Sequence, residues 1–131
     1  MIAGTVIHWK DFRFHDGGTK NKYLVVMGPP RGGNLLLVKT TTQPHVTRPA
    51  KDGCQIEKGF FYFPAKRMWF PSPTWVILSH PYLVPTEQVQ RAYTDKIAET
   101  VAQLALPDAA ALRNCLKKSL DLTGEQADYL K

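Results

Sequence analysis

The stretch Gly17–Gln43, GGTKNKYLVVMGPPRGGNLLLVKTTTQ, carries two short apolar runs, Tyr23–Met27 and Leu35–Val38, joined by Gly28-Pro29-Pro30-Arg31-Gly32-Gly33-Asn34. Apolar runs of that length bounded by glycine and proline read as buried strands, and the segment between them as a turn or short loop. Lys20 and Lys22 stand where the first strand begins, and Thr40, Thr41 and Thr42 where the second ends. In an antiparallel pair the start of one strand lies beside the end of the next, so ammonium groups and hydroxyls are expected to meet at one rim of a sheet. Fixed positive charge beside neutral donors makes a phosphate site. The same residues have a plainer reading: lysines keep strand ends in water and blunt an edge, and threonines are ordinary strand formers.

On the N-terminal side, Gly4–Trp9 (GTVIHW) is β-branched and aromatic and reads as a first strand. Lys10–Asn21 reads as a loop that interleaves Lys10, Arg13 and Lys20 with Phe12, Phe14 and His15. Basic groups of this kind track a phosphate backbone while aromatic faces stack on unpaired bases, although Phe12 and Phe14 equally suit a loop folded back onto the core. On the C-terminal side, Pro44–Gly53 reads as a loop, and Cys54–Phe63 as a strand bent at Gly59. Pro64–Pro73 is an irregular segment that presents Lys66, Arg67 and Trp69, or else covers the sheet with Met68, Trp69 and Phe70. Thr74–Ser79 and Tyr82–Val84 read as two further strands. Beyond Pro85, Val89, Tyr93, Ile97, Val101 and Leu104 recur at helical spacing behind a possible N-cap at Thr86. Pro107 restarts a helix with Leu112, Cys115, Leu116 and Leu120 on its apolar face, ending at Thr123-Gly124, and the tail is frayed or adds a short turn.

Strands followed by helices give an α+β fold, mainly β, in one domain of 131 residues, with a small antiparallel sheet or barrel over about 1–85 and helices over about 86–122. With 44% hydrophobic residues and a mean hydropathy of −0.26, the chain can bury a real core, and no run is long enough to span a membrane. The opening Met1-Ile2-Ala3-Gly4 carries no secretory pattern, and Cys54 and Cys115 read as two reduced thiols, so a cytoplasmic protein is expected. The net charge of +6 is uneven: residues 1–82 carry +7 and residues 83–131 carry −1, so a polyanion would meet the first part. His45 and Cys54 share a loop region but show no ligand spacing, so neither a metal site nor a cofactor is expected.

The order of these motifs resembles the MazF/PemK family of type II toxin–antitoxin ribonucleases. Gly4-Thr5-Val6 is similar to the family's opening Gly-Asp-Val strand, and Gly17–Val26 to its glycine-rich loop, Arg-Pro and apolar strand. Leu37–Gln43 is similar to its strand ending in a threonine, Thr74–Leu78 to its late apolar strand, and Leu112–Leu122 to its closing helix. The resemblance covers most of the chain and implies an SH3-like barrel with appended helices, a homodimer, an acidic antitoxin protein as partner, and metal-independent cleavage of single-stranded RNA in which the ribose 2′-hydroxyl attacks the adjacent phosphate.

By position the family's catalytic arginine falls on Lys22 and its threonine on Thr41, with Thr40 nearly as good. Where the family has Arg-Pro this chain has Lys22-Tyr23, replacing a planar two-pronged donor by a point charge. Lysine serves as a base near neutrality only if burial or a neighbour such as Lys20 lowers its pKa; otherwise a histidine supplies the base, His15 being the best placed in sequence. The expected RNA contacts are Lys20, Arg13, Phe12, His15, Lys39, Gln43 and Arg67. Two other readings are kept: an inert nucleic-acid-binding module of the same fold, and a protein-interaction module with an aromatic groove of Tyr62, Trp69 and Phe70.

Overall fold

The computed structural model describes residues 1–42, 52–64 and 70–131. Seven strands, β1 (Thr5–Arg13), β2 (Thr19–Val26), β3 (Asn34–Thr41), β4 (Gly53–Gln55), β5 (Phe60–Phe63), β6 (Thr74–Pro85) and β7 (Ala98–Gln103), form one sheet. Its order is β4-β5-β6-β3-β2-β1-β7, with antiparallel pairing throughout. Three helices, α1 (Thr86–Thr94), α2 (Leu106–Lys117) and α3 (Gly124–Tyr129), complete an α+β fold that is mainly β. The sheet is open and does not close into a barrel, which corrects the SH3-like barrel expected from the resemblance.

Alternation along the strands sends side chains to two main cores, with a smaller cluster of Phe60, Tyr62 and Trp75 on β5 and β6. Val6, Val25, Met27, Leu36, Val38, Phe61, Phe63 and Leu78 face one side, where Leu112, Cys115 and Leu116 of α2 and Tyr129 and Leu130 cover them. Ile7, Trp9, Leu24, Val26, Leu35, Leu37 and Val84 face the other, where Val89 and Ala92 of α1 pack. In the strands expected at Tyr23–Met27 and Leu35–Val38, all residues but the exposed Tyr23 are buried, on both faces, which is why they read as continuous apolar runs.

Three expectations along the chain change. Lys10–Asn21 is a hairpin: β1 and β2 run on to Arg13 and from Thr19, and a bulge between Trp9 and Phe12, with Asp11 at φ 52°, absorbs the polar residues that looked like a loop. The helical period through Ile97, Val101 and Leu104 does not extend α1; Lys96 takes a left-handed conformation (φ 60°), and Ala98–Gln103 pairs with β1 as β7. Leu120, expected on an apolar helix face, is 99% exposed because α2 ends at Lys117.

Thr123 does not terminate a helix but caps α3: its hydroxyl accepts from Gln126 N at 3.1 Å while the Gln126 side chain accepts from Thr123 N at 3.0 Å. Thr86 is the first residue of α1, and no side chain caps that helix.

The cysteines are joined. Cys54 of β4 and Cys115 of α2 form a disulfide with their Cα atoms 5.6 Å apart, so the reading of two reduced thiols is overturned. Their separation in sequence hid a contact that arises when α2 lies across the sheet beside its short edge strand. The groove of exposed aromatics is corrected too: Tyr62 and Phe70 are buried, and Trp69 lies outside the described residues. No described helix is long and apolar enough to cross a membrane.

Candidate functional site

The β2–β3 register Leu24↔Lys39, Val25↔Val38, Val26↔Leu37, carried outward by two residues, sets Lys22 beside Thr41. The rim read from the sequence is thus formed. Lys22 is half-buried, and its ammonium donates to the Thr40 carbonyl oxygen at 3.1 Å. Burial, then the like charges of Lys20 and Lys39, hold its pKa below the usual lysine value. This is the condition under which a lysine can exchange a proton nearer to neutrality. Lys20 is exposed, and Lys39 is half-buried with its ammonium 4.9 Å from the centre of the Phe14 ring.

The two threonines differ. Thr40 is 5% exposed and its hydroxyl donates to Tyr23 O at 2.9 Å, so it serves the β2–β3 seam. Thr41 is half-buried, shares the sheet face of Lys39, and pairs across the other strand with Trp75. Of the two, Thr41 is the one on the lysine face.

The remaining expected residues gather at the tip of the β1–β2 hairpin. Turn bonds from Phe14 N to Gly18 O (2.8 Å) and Gly17 N to Phe14 O (3.0 Å) close the tip, and Asp16 accepts from Gly18 N at 2.8 Å. The tip residues His15–Lys20 are exposed, but the tip also leans on the sheet. It crosses the face of β2 and β3 to reach β6, where the His15 ring stacks on Tyr82 with centroids 4.0 Å apart and planes within 6°. His15 Nε2 lies 3.0 Å from His80 O and 3.3 Å from Pro81 O, so it carries a proton and donates there. His15 accordingly rests against β6 through its ring and its Nε2.

Phe12 is 5% exposed, edge-on to both Trp9 and Tyr82, and belongs to the core. Phe14, half-buried, is the ring that links the hairpin tip to Lys39. Arg13 is exposed at the end of β1, across from Thr19. Gln43 and Arg67 lie outside the described residues.

The partner surface on β6 exists because that strand is bulged. Opposite the Leu37–Lys39 step, the β3–β6 register jumps from Tyr82 to Ile77, and His80 takes φ 55°. Pro81 carries no amide hydrogen for a ladder, and its freed carbonyl accepts from His15 on one side and from Gln126 Nε2 of α3, at 3.0 Å, on the other. Sequence reasoning missed Tyr82 and this bulge. The available signal was Pro81 inside an apolar run, which marks a bulge or an edge.

The site therefore comprises three lysines on one sheet face, a threonine beside them, and a fixed aromatic wall of Phe14, His15 and Tyr82. Among the described residues no group of three or more His, Cys, Asp or Glu is arranged to hold a metal ion. The arrangement can bind phosphate oxygens and lay a planar ring against the wall. No family model matches this chain, and neither does any curated protein or solved structure.

Proposed function

We propose that the protein is a metal-independent endoribonuclease that acts on single-stranded RNA at the lysine rim, as the toxin of a toxin–antitoxin pair. The observation that carries this reading is the rim itself, Lys22 beside Thr41 with Lys20 and Lys39 on the same sheet face, where burial and the two like charges lower the Lys22 pKa. In the fraction of molecules whose Lys22 is neutral, a fraction that the lowered pKa enlarges, the amine takes the proton of the ribose 2′-hydroxyl, whose oxygen attacks the adjacent phosphorus. The 5′-oxygen departs with a proton from a neighbouring ammonium, leaving a 2′,3′-cyclic phosphate and a free 5′-hydroxyl. Lys20 and Lys39 face the charge that grows on the phosphoryl oxygens, and Thr41 is placed to donate to them. An acidic antitoxin protein would meet the basic residues 1–82, and the active form would be a homodimer. The cytoplasm belongs to this reading too. A reducing pool there opens disulfides, so activity must then survive with Cys54 and Cys115 as thiols.

The test is incubation of purified protein with a long single-stranded RNA in EDTA, beside Lys22→Ala. Discrete fragments with cyclic-phosphate ends, absent with the variant, are expected. Equal cleavage by Lys22→Ala and by Thr41→Ala would sink the assignment. Two points favour a second reading, a nucleic-acid-binding module that does not cut: the Thr40 hydroxyl is committed to Tyr23 O, and lysine stands where the resembled family has arginine. That reading predicts binding with no product in the same experiment.

A further inference from the structure

Beside the lysine rim, a cleft of about 330 Å³ opens between the outer end of β1, the bulged part of β6 and the first turn of α1. This is at the lower end of the roughly 300–1,000 Å³ typical of small-ligand sites. Trp9, Phe14, His15 and Tyr82 wall it, and Asp11, Arg13 and Gln88 stand at its polar side. The cleft and the rim are continuous. Trp9 pairs across β1–β2 with Lys22, and Phe12 with Lys20, and residues paired across strands project to the same sheet face. Phe14 lines the cleft while its ring carries the Lys39 ammonium.

Two features of the cleft are unlike a phosphate site. Asp11 places a carboxylate among basic groups, where it repels phosphate and can only accept hydrogen bonds. It is also held there: the backbone at Asp11 is left-handed (φ 52°), and its amide donates to Asn21 Oδ1 at 3.0 Å. Among the described residues, neither the Asp11 carboxylate nor the Gln88 amide has a protein partner, and both are exposed. An aromatic-walled cleft with a free carboxylate and a free amide on its polar side offers stacking together with hydrogen-bond reading of a planar edge.

We infer that this cleft receives one unpaired nucleobase whose edge presents N–H donors, guanine above all, while the adjoining phosphates lie on Lys20, Lys22 and Lys39. Guanine N1–H and its N2 amino group form a parallel pair of donors that matches the two oxygens of a carboxylate. Uracil offers one N–H flanked by two carbonyl oxygens and would set an acceptor against Asp11. Gln88, with both donor and acceptor, meets the remaining edge. The inference rests on the reading of the rim as an RNA site and adds base selection to it.

The experiment is equilibrium binding of the full chain to two pentaribonucleotides, five uridines and the same strand with one central guanosine, at modest salt in EDTA. The guanosine strand is expected to bind about tenfold more tightly. Asp11→Asn, which keeps a residue tolerant of positive φ, is expected to abolish that preference while affinity for the uridine strand rises, because the carboxylate that repels phosphate is gone. Gln88→Ala, on an exposed helix position, should reduce the preference in part. Lys22→Ala should weaken both strands alike.

Equal affinity for the two strands, or an Asp11→Asn variant that retains the preference, would overturn the base cleft while leaving the phosphate rim standing. Failure of the wild-type protein to bind either strand would remove the RNA reading and the cleft together.

Discussion

Lys22 is unfavourable where it stands. Its charge is half-buried and faces two further ammonium groups, so folding lowers its pKa below the 10.5 of an unconstrained lysine. The unfolded chain therefore binds more protons than the folded one between the lowered value and 10.5, and stability from this group rises with pH across that window. Below the lowered value the lysine is charged in both states and its penalty is at its largest. Lys22→Met removes the charge at all pH values. At pH 7 the variant is expected to melt above the wild type, and the gap should narrow as pH is raised toward 10. A gap that stays constant from pH 7 to pH 10 would show that Lys22 titrates normally in the folded protein. The same variant should lose RNA binding, so that the residue least good for stability is the one the proposed site most needs.

A second residue-scale constraint sits at the far end of β2. Arg113 of α2 donates to Met27 O at 2.8 Å and to Leu130 O at 3.1 Å, and its guanidinium occupies the space where a side chain on Gly28 would begin. The Tyr129 hydroxyl completes the lock, with Gly28 O at 2.7 Å and Pro29 O at 2.8 Å sharing its single proton. Gly28→Ala should displace Arg113 and destabilise the chain by about 1–3 kcal/mol, the cost of leaving buried carbonyls without a donor. Urea denaturation of the variant measures this, and an unchanged midpoint would mean that the guanidinium swings aside without loss.

Among the elements, β4 and α2 are held by different means from the rest of the sheet. β4 has only three residues and, among the described strands, pairs with β5, and the Cys54–Cys115 disulfide ties it covalently to α2. Closing a loop across a sequence separation of 61 lowers the entropy of the unfolded chain by an amount worth about 4 kcal/mol. Reduction, or Cys54→Ser, is expected to lower the unfolding free energy by about that much, read as a shift in denaturant midpoint with and without reductant. No shift would mean that the two sulfurs are not joined in solution.

This element also marks a limit of what the sequence makes legible. Strands β2, β3 and β6 were readable because burial on both faces forces apolar runs between glycine and proline. Their register then placed Lys22 beside the threonines. Strand β7 was not readable, since AETVAQ is half-exposed and its Val101 fits a helical period as well as an alternating one. Only pairing with β1 decides it. Contacts between distant segments were hidden for the same reason: neither Cys54–Cys115 nor His15–Tyr82 has a local signature, and the latter exists only because a hairpin tip crosses two strands.

At the scale of the whole molecule, the positive charge is carried by the N-terminal part of the chain. Residues 1–82, at +7, include β1–β5 and most of β6, with Lys10, Arg13, Lys20, Lys22 and Lys39 on the strands, whereas residues 83–131, at −1, supply β7 and the helices α1 and α2 that pack on the two faces of the sheet. The helices thus add little field of their own, and a polyanion approaching the molecule is steered to the strand-borne lysines. Binding there should show the salt dependence of counterion release, with a slope of log affinity against log salt of about −0.7 for each phosphate neutralised on a single strand. If Lys20, Lys22 and Lys39 each neutralise one phosphate, replacing all three with alanine should flatten the slope by about 2. Replacing Lys117, Lys118 and Lys131, equal in number but carried by the C-terminal part, should leave it unchanged. Titrations of a uridine pentamer over a range of salt concentrations would compare the two triple variants directly. Equal flattening in both would mean that the anion feels only net charge, and the rim would then lose its claim to be a site.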